Sequence, residues 1–598
     1  MTTRTEKLGR AALRRATACM VILSFVAAGW SVAGAGESTK SGKLDSAIAQ
    51  TVATGSGGSV RVIITTAPGK LQAVKDRVAT TAKRMIGDHA VIGAFTAEVA
   101  ADAIPGLAND PEVARISSDA PIRGFTSLPT GAANTLLPTL GLPDTKLTGG
   151  SVGVAILDSG VVESSDVPVE TFHDFLDSGK LGKPVDPFGH GTHVAGLIKD
   201  KPSTNAYYGS VAIGARLISL RVLDAEGAGY TSTVLQAIEF AITNRERLRI
   251  DILNLSLGHP ILEPAATDPL VQAVERAVAA GMVVVVAAGN HGTNPETGQV
   301  GYAGITSPAN APSAITVGAV ETQNTTTRTD DVPAAFSSRG PTWYDGYAKP
   351  DILAPGRRVV SSMNPNSRLF ERYPHFTAFD VSKSRAYMTL SGTSMSAGVT
   401  SGVVALMIQA SRSTNDLKVA LPPNAIKAIL QYTAHAIPGA DHLTQGAGAL
   451  NAAGAIALAK AINPTHPVGT WWLTASVNPW TTLTSGERLT WAQHVLWGDQ
   501  VIWGNPVYAN EAAWAKAIVW GNAIVWGNGI LSGNAIVWGN TSVWGNAIVW
   551  GNSVIGLNAD GRVLYGDAAN WGTVSPDAIV WGNLGGMTTS ATETTNSQ

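Results

Sequence analysis

Residues 152–160 read Val-Gly-Val-Ala-Ile-Leu-Asp-Ser-Gly, an apolar run that ends in a carboxylate at a Ser-Gly turn. Apolar runs of this kind recur downstream, and stretches with helical spacing separate them. Strands rich in Val, Ile and Ala that alternate with helices predict a parallel sheet covered on both faces. The predicted fold class is therefore α/β over residues 150–460. The predicted strands are 152–157, 215–222, 252–255, 283–287 and 315–317, and the predicted helices are 190–199, 232–243, 269–280, 394–410 and 424–433.

The start of the chain has the three parts of an export signal. Five basic side chains precede an apolar stretch at 19–32, and the small residues Ala-Gly-Ala follow at 33–35. This order is typical of a secretory signal peptide, so we expect residues 1–35 to be removed and the protein to be secreted. A membrane anchor is the alternative, but Ser and Gly interrupt the short apolar stretch.

A small module precedes the α/β region. Residues 36–58 are rich in Ser, Gly, Thr and Ala and are predicted to be a linker. Residues 59–122 form a compact α/β unit by pattern, and the Pro-, Gly- and Thr-rich segment 123–149 connects it to the next domain. Within the unit, strands are predicted at 60–64, 91–99 and 113–116 and helices at 71–85 and 101–108.

Composition excludes some functions. The chain has 598 residues with 42 Lys and Arg against 44 Asp and Glu, a formal net charge of −2. This balance excludes the basic field of a general nucleic-acid binder, so no nucleic-acid partner is expected. The only cysteine is Cys19, inside the predicted signal. Neither a disulfide framework nor a cysteine-ligated metal is therefore expected beyond that segment.

Three segments carry an acid, a base and a nucleophile in chain order. Asp158 ends a strand, where open α/β sheets place their sites. His190 and His193 lie in Gly-His-Gly-Thr-His-Val-Ala-Gly; they are candidate metal ligands too, but the spacing of a zinc-protease helix is missing. Ser394 lies in Ser-Gly-Thr-Ser-Met-Ser before an apolar helix, where a lone serine would usually be an N-cap. The order Asp, His, Ser is one of the three known for a catalytic triad.

These segments strongly resemble the subtilisin-like serine proteases over about residues 150–460. Further matching motifs are Asp-Ile-Leu-Asn-Leu-Ser-Leu-Gly at 251–258, Ala-Ala-Gly-Asn at 287–290, Phe-Ser-Ser-Arg-Gly at 336–340 and Lys-Pro-Asp-Ile-Leu-Ala-Pro-Gly at 349–356. The resemblance implies a serine endopeptidase that acts on proteins or peptides. An enzyme of this kind needs no cofactor for its chemistry, and we assign no residue as a metal ligand. Structural calcium is implied by the resemblance alone, since no loop with calcium-ligand spacing stands out.

The resemblance also gives the residues roles. Ser394 is then the nucleophile, His190 the general base and acid, and Asp158 the group that orients the imidazole. Asn290 is similar to the side-chain donor of the family's oxyanion hole. Two elements are predicted to bind substrate: an edge segment that pairs with an extended peptide, and a wall of the pocket for the residue before the scissile bond. Their residues are Ser256, Leu257, Gly258, Ala288 and Gly289. The far side of the pocket for the residue before the scissile bond is expected at 301–307, where no acidic residue lies. This favours substrates with an apolar residue at that position.

Residues 59–122 resemble the propeptide of these proteases, which assists folding and then inhibits in cis. The contacts of parallel sheets are non-local and form slowly, so a folding template suits such a fold. We expect the maturation site within 123–149, in the region 123–142. A permanent accessory domain is the alternative interpretation.

A β-rich repeat region follows the predicted linker 461–496. Residues 497–583 are dominated by a six-residue unit, most often Ala-Ile-Val-Trp-Gly-Asn, which is continuous over 517–552. A six-residue period is a signature of stacked β-solenoids. Two interpretations stay open: an outer ladder of Trp that contacts glycans, a cell surface or another chain, or Trp side chains that pack inside or against the catalytic domain. Residues 584–598 are predicted to be a disordered tail.

The sequence thus supports two functions from different classes. The leading one is a secreted serine endopeptidase made as a self-processing zymogen. The alternative is an adhesin-like protein that binds a surface or polysaccharide through the hexads, with the protease domain secondary.

Overall fold

The structure is a computed structural model of the full chain. It describes residues 42–55, 57–124, 136–142, 147–200, 210–294, 297–382, 385–483, 485–497, 500–504 and 506–510, and short strands between 531 and 581. The predicted signal peptide, most of the connecting segment and the predicted C-terminal tail lie outside the described residues.

A nine-stranded sheet forms the centre of the catalytic domain. Its inner strands pair in parallel, and the two short end strands pair antiparallel, so the α/β prediction is confirmed. In spatial order the strands are Val332–Pro333, Ile315–Glu321, Val283–Ala287, Ile250–Leu255, Gly153–Asp158, Arg216–Arg221, Val169–Asp174 and Lys180–Leu181, and Ile352–Pro355 pairs with Ile315–Glu321.

Helices cover both faces of this sheet because successive side chains of its buried strands point to opposite sides. Val154 and Ile156 join one apolar core, whereas Ala155 and Leu157 join the other. The helices of the first face are His190–Ile198, Thr393–Arg412, Pro423–Thr433 and Ala452–Ala461, and those of the second are Thr231–Thr243 and Pro269–Ala279. Shorter helices are Leu136–Thr139, Arg245–Leu248, Arg368–Arg372 and His442–Gln445.

The helix Thr393–Arg412 is the centre of the first face. It is 20 residues long, and it is the one described helix that is long and apolar enough to cross a membrane. Because 94% of its most apolar window is buried inside the protein, it is the core helix of the domain. Nearby strands form small antiparallel sheets: Val359–Met363, Thr377–Ser382 and Arg385–Leu390, and the edge strands Ala228–Tyr230, Leu257–Pro260 and Thr306–Ser307.

The N-terminal module has its own antiparallel sheet and core. The strand order is Arg84–His89, Ala94–Ala100, Ser59–Thr66 and Val113–Ser118, and the helices are Leu71–Ala79 and Ile104–Asn109. The prediction of a helix over 71–85 is wrong after Ala79, because residues 84–89 pair with the strand Ala94–Ala100. A local helical period does not reveal that pairing.

The prediction that residues 36–58 are a linker is wrong for its second half. Residues 46–54 form a helix, Ser46–Thr54, whose N-cap Asp45 accepts a hydrogen bond from the Ile48 backbone. Ile48 is buried in the core of the N-terminal module, and the Asp45 backbone bonds to Ile116. A buried apolar side chain and a capping carboxylate thus stabilise a helix in a segment whose small and polar residues predict a linker. We call residues 42–124 the leader module.

The prediction of a linker at 461–496 is also wrong. Strands Trp480–Thr482 and Arg488–Thr490 pair there, and the next hairpin joins His494–Trp497 to Gln500–Trp503. Trp472, Trp491 and Trp497 are buried in the core that contains the helix Pro423–Thr433. The Nζ of Lys427 lies 5.2 Å from the Trp497 ring. The first Trp of the hexad region therefore packs against the catalytic domain.

Farther along the repeat region the described strands pair in parallel, and two of the three pairings join strands twelve residues apart. Ala535–Trp538 pairs with Ala547–Trp550, and Leu531–Ser532 pairs with Val543–Trp544 in a second sheet. Ala547–Trp550 also pairs with Ala578–Trp581. Between 531 and 550, successive hexads therefore contribute strands to two sheets in turn. The β-solenoid stays a prediction.

Candidate active site

The carboxylate and the imidazole meet at the carboxyl end of the central strand. Asp158 is the last residue of Gly153–Asp158, and His190 is the first residue of the helix His190–Ile198. The Nδ1 of His190 lies 2.7 Å and 2.9 Å from the two carboxylate oxygens of Asp158. Both side chains are completely buried. A buried carboxylate in this position fixes the ring and stabilises the imidazolium.

Ser394 is the second residue of the helix Thr393–Arg412. Its hydroxyl lies 3.0 Å from the carbonyl oxygen of Ser256, and its own carbonyl oxygen accepts from the Ser256 hydroxyl at 3.1 Å. The preceding Gly392 has a φ of +155°, which suits glycine as the chain turns into the helix. The positive end of a 20-residue helix stabilises negative charge that forms at this oxygen.

Asn290 presents its amide group beside the start of that helix. Its Oδ1 accepts from the Thr393 backbone N–H at 3.0 Å and from the Thr393 hydroxyl at 3.1 Å. Its Nδ2 is buried, and no described residue accepts a hydrogen bond from it. The two bonds to Oδ1 therefore hold a free N–H donor next to Ser394. Sequence reasoning missed Thr393, although a threonine directly before the candidate nucleophile is the signal available.

Of the five predicted substrate-binding residues, Ser256 contacts Ser394 directly through the two hydrogen bonds described above. Leu257 and Gly258 begin the edge strand Leu257–Pro260. Ala288 is fully buried, and a Cβ on Gly289 would come within 2.8 Å of the Ser338 hydroxyl. At Gly289, whose φ is +106°, a larger side chain would therefore have to displace Ser338.

The strand Pro121–Gly124 of the leader module occupies the groove between two edge strands. It pairs antiparallel with Ala228–Tyr230 on one side and with Leu257–Pro260 on the other. Gly124 lies beside His190, since a Cβ on this glycine would be 3.3 Å from the imidazole Nδ1. A polypeptide strand therefore fills the groove as an extended peptide substrate would.

His193 does not join His190 at a metal. Its Nε2 lies 3.0 Å from the carbonyl oxygen of Met388, and burial lowers its pKa to about 3. Within the described ranges no three His, Cys, Asp or Glu side chains converge to hold a metal ion. Calcium, which the resemblance implies, stays a prediction, since its usual ligands also include backbone carbonyl oxygens.

The chain is similar to known proteins over the region that holds this site. Residues 149–472 match the model of the subtilase family, Peptidase_S8. Serine protease AprX of Bacillus subtilis is 37% identical over 314 residues, which are 51% of this chain and 66% of AprX. Subtilisin E of the same organism is 33% identical over 291 residues, 48% of this chain and 68% of that protein.

A solved structure shows the same fold. It is that of fervidolysin from Fervidobacterium pennivorans, described as a keratinolytic enzyme related to subtilisin. The TM-score is 0.51 with 20% identity, and the match covers 67% of this chain and 61% of fervidolysin. The family model covers more than half of the chain and includes Asp158, His190 and Ser394. The chain belongs to the subtilase family of serine peptidases.

Proposed function

We propose that the protein is a secreted serine endopeptidase made as a self-processing zymogen. The observation that carries this proposal is the leader strand Pro121–Gly124, which lies in the substrate groove beside His190. Export rests on the signal-like residues 1–35.

The proposed chemistry uses the groups described above. The Ser394 hydroxyl oxygen attacks the substrate carbonyl carbon while His190 takes its proton. The Asn290 amide and a backbone N–H at the start of the helix donate to the resulting oxyanion. The C–N bond then breaks, and His190 gives the proton to the leaving amine. Water hydrolyses the acyl-enzyme ester by the same steps in reverse, with Asp158 stabilising the imidazolium each time.

The register of the leader strand supports a specific position for the maturation bond. Gly258 pairs with Arg123 and Leu257 pairs with Gly124. One residue before Leu257, the Ser256 carbonyl oxygen lies 3.0 Å from the Ser394 hydroxyl. Since partners in an antiparallel ladder change by one residue at each step, we propose that Phe125 supplies the carbonyl that Ser394 attacks. We therefore propose cleavage between Phe125 and Thr126, which lie outside the described residues.

N-terminal sequencing of the processed chain is expected to begin at Thr126. Gly124→Val should slow this cleavage by at least about tenfold, because the added carbons meet His190 Nδ1 and Leu223 at 3.3–3.5 Å and displace the reacting bond. Gly106→Val is the matched control, since a Cβ there meets no atom within 4 Å. A different first residue, or equal cleavage of both variants, would contradict the register.

The contacts between the leader module and the enzyme make inhibition depend on pH. Glu239 accepts from the Val91 backbone, and Glu263 pairs with Arg115. Burial raises the pKa of Glu239. Burial and the nearby Asp268 raise the pKa of Glu263 to about 8, which the Arg115 guanidinium opposes. Because Val91 and Arg115 of the leader module contact these carboxyls, we expect its departure to reduce their burial. The complex should then hold more protons than the separated parts and bind most tightly at low pH.

Affinity for the cleaved leader module should accordingly fall as pH rises. We expect at least about a tenfold loss between pH 5 and pH 8, the factor of one pKa unit. Gel filtration of the processed complex across this pH range measures how much of the leader module dissociates. Glu263→Gln should flatten the dependence, whereas Glu246→Gln, at an exposed pair with Arg245, should leave it unchanged. Tighter binding at pH 8 would refute the prediction.

One Trp of the hexad region does not fit the adhesin-like alternative. The Trp497 side chain is buried against the catalytic domain and does not present an outer ladder. Contact with glycans through the later hexads remains a separate proposal, which a pull-down of the full chain with insoluble glycans tests.

A further inference from the structure

A second buried carboxylate lies behind the first two members of the triad. Asp186 is four residues before His190 and is 1% exposed. One carboxylate oxygen accepts from the Gly189 backbone at 2.7 Å and from the Ser159 hydroxyl at 2.8 Å. The other accepts from the backbone and the hydroxyl of Thr192 at 2.7 Å and 2.6 Å. Four donors thus point at one carboxylate, an arrangement that suits the ionised form.

These bonds fix the start of the helix that carries His190. The N-cap residue of His190–Ile198 is Gly189, which has no side chain to cap the helix. Asp186 supplies the missing acceptor to the backbone N–H groups on either side of His190, at Gly189 and Thr192. The Asn364 side chain holds the Asp186 backbone carbonyl at 2.7 Å in turn. The imidazole is therefore attached to a helix end whose position Asp186 sets.

Ser159 connects this carboxylate to Asp158. Its hydroxyl lies 2.8 Å from Asp186 and 3.2 Å from Asp158, and it accepts from the Gly191 backbone at 3.1 Å. The hydroxyl has one proton, and the shorter distance directs that proton to Asp186. Asp158 then keeps the Ser159 backbone N–H at 2.7 Å and the imidazole as its close donors. A carboxylate with fewer strong donors attracts the imidazolium more strongly.

We propose that Asp186 is a positioning residue of the triad, which fixes His190 through the helix start and strengthens Asp158 by taking the Ser159 proton. This proposal rests on the proposed peptidase function. The titratable groups around Asp186 are Asp158 and His190, with His193 on the next turn of the same helix. Burial, the largest effect, raises the pKa of the Asp186 carboxyl above its usual range, and its hydrogen bonds to Thr192, Gly189 and Ser159 oppose this rise. The ionised form is argued from the four donors, two of which are backbone N–H groups that can only donate.

The test is the pH profile of Asp186→Asn in the processed protein. The substrate is acetyl-Ile-Arg-Gly-Phe p-nitroanilide, whose sequence is that of residues 122–125, and active sites are titrated with a sulfonyl fluoride. Asp186→Asn removes a negative charge and lets the Ser159 hydroxyl donate to Asp158. Both changes make protonation of the His190 imidazole less favourable. The acidic limb of kcat/KM should therefore move to lower pH by on the order of 0.5–1 unit. Per titrated site, kcat should fall about 10- to 100-fold with little change in KM.

Two comparisons decide the outcome. Glu170→Gln removes a carboxylate paired with Arg216, at the opposite end of the strands from Asp158, and should leave the limb in place. In a Ser159→Ala background, Asp186→Asn should move the limb less than in the wild type, because the shared proton is gone. A limb that coincides with that of the wild type, or strictly additive shifts, would overturn the proposal. Inactivity of the wild-type chain would instead refute the proposed function.

A second variant covers the case in which Asp186→Asn does not fold. Thr192→Val removes one donor to Asp186 and keeps the charge, while Thr192→Ser keeps the hydroxyl. We expect kcat of Thr192→Val to fall several-fold at constant KM, and Thr192→Ser to restore it. Equal kcat in both variants and the wild type would show that the helix start does not position His190.

Discussion

Ser394→Ala should leave the full-length chain uncut, while the wild-type chain loses its leader module and begins at Thr126. Removal of the hydroxyl leaves no oxygen to attack the carbonyl that the leader strand offers, and water must replace it. Loss of the nucleophile from a Ser-His-Asp triad costs about 10⁶-fold in kcat. Intact mass and N-terminal sequencing of the two purified proteins measure the difference directly.

Ser396→Ala is the matched control for this experiment. Ser396 lies one residue beyond Met395 in the same helix, and its hydroxyl donates to the Ala354 carbonyl at 2.9 Å. It should process like the wild type. If Ser394→Ala is cut at the same bond as the wild type, an outside protease matures the chain, and labelling with a serine-hydrolase probe then decides the catalytic proposal.

Asn290→Ala should lower kcat by about 100- to 1000-fold and leave KM almost unchanged. The Nδ2 group has no acceptor among the described residues, so its hydrogen bond is made only when an oxyanion forms. Loss of one such donor typically has an effect of this size. Steady-state kinetics on the processed enzyme, normalised to titrated active sites, measure the effect.

Thr393→Val separates the donor from the contacts that hold it. This variant keeps the Asn290 amide and the Thr393 backbone bond to Oδ1, and it loses the hydroxyl bonds to Asn290 and to the Gly289 backbone. We expect a smaller fall in kcat than for Asn290→Ala. An equal fall in the two variants would mean that the amide has a supporting role only, and a rise in KM would assign Asn290 to ground-state binding.

Much of the fold and the meeting of Asp158 with His190 follow from local sequence patterns. The strands of the central sheet are apolar runs whose ends are marked by polar or glycine residues, so the predicted strand 283–287 coincides with the observed one. The carboxyl end of a parallel strand and the start of a helix both face the same edge of the sheet. These two rules suffice to bring Asp158 and His190 to that edge.

The errors arise where long-range contacts decide. Residues 46–54 and 480–490 have compositions typical of linkers, yet they fold because Ile48 and Trp491 find cores built by distant segments. Asp186 shows no pattern of its own, since its four donors come from Ser159, Gly189 and Thr192 and only the folded chain assembles them. Single-sequence periodicity carries no information about such pairings.

The twelve-residue spacing of paired strands in the repeat region restricts how the gene can change length. Insertion or deletion of one hexad would move every later unit from one sheet to the other and place unlike units in the same stack. Gain or loss of two hexads would add or remove a whole coil and leave all other pairings intact. The continuous array 517–552 contains six hexads, an even number. Length variants of this protein should therefore differ by multiples of twelve residues rather than six.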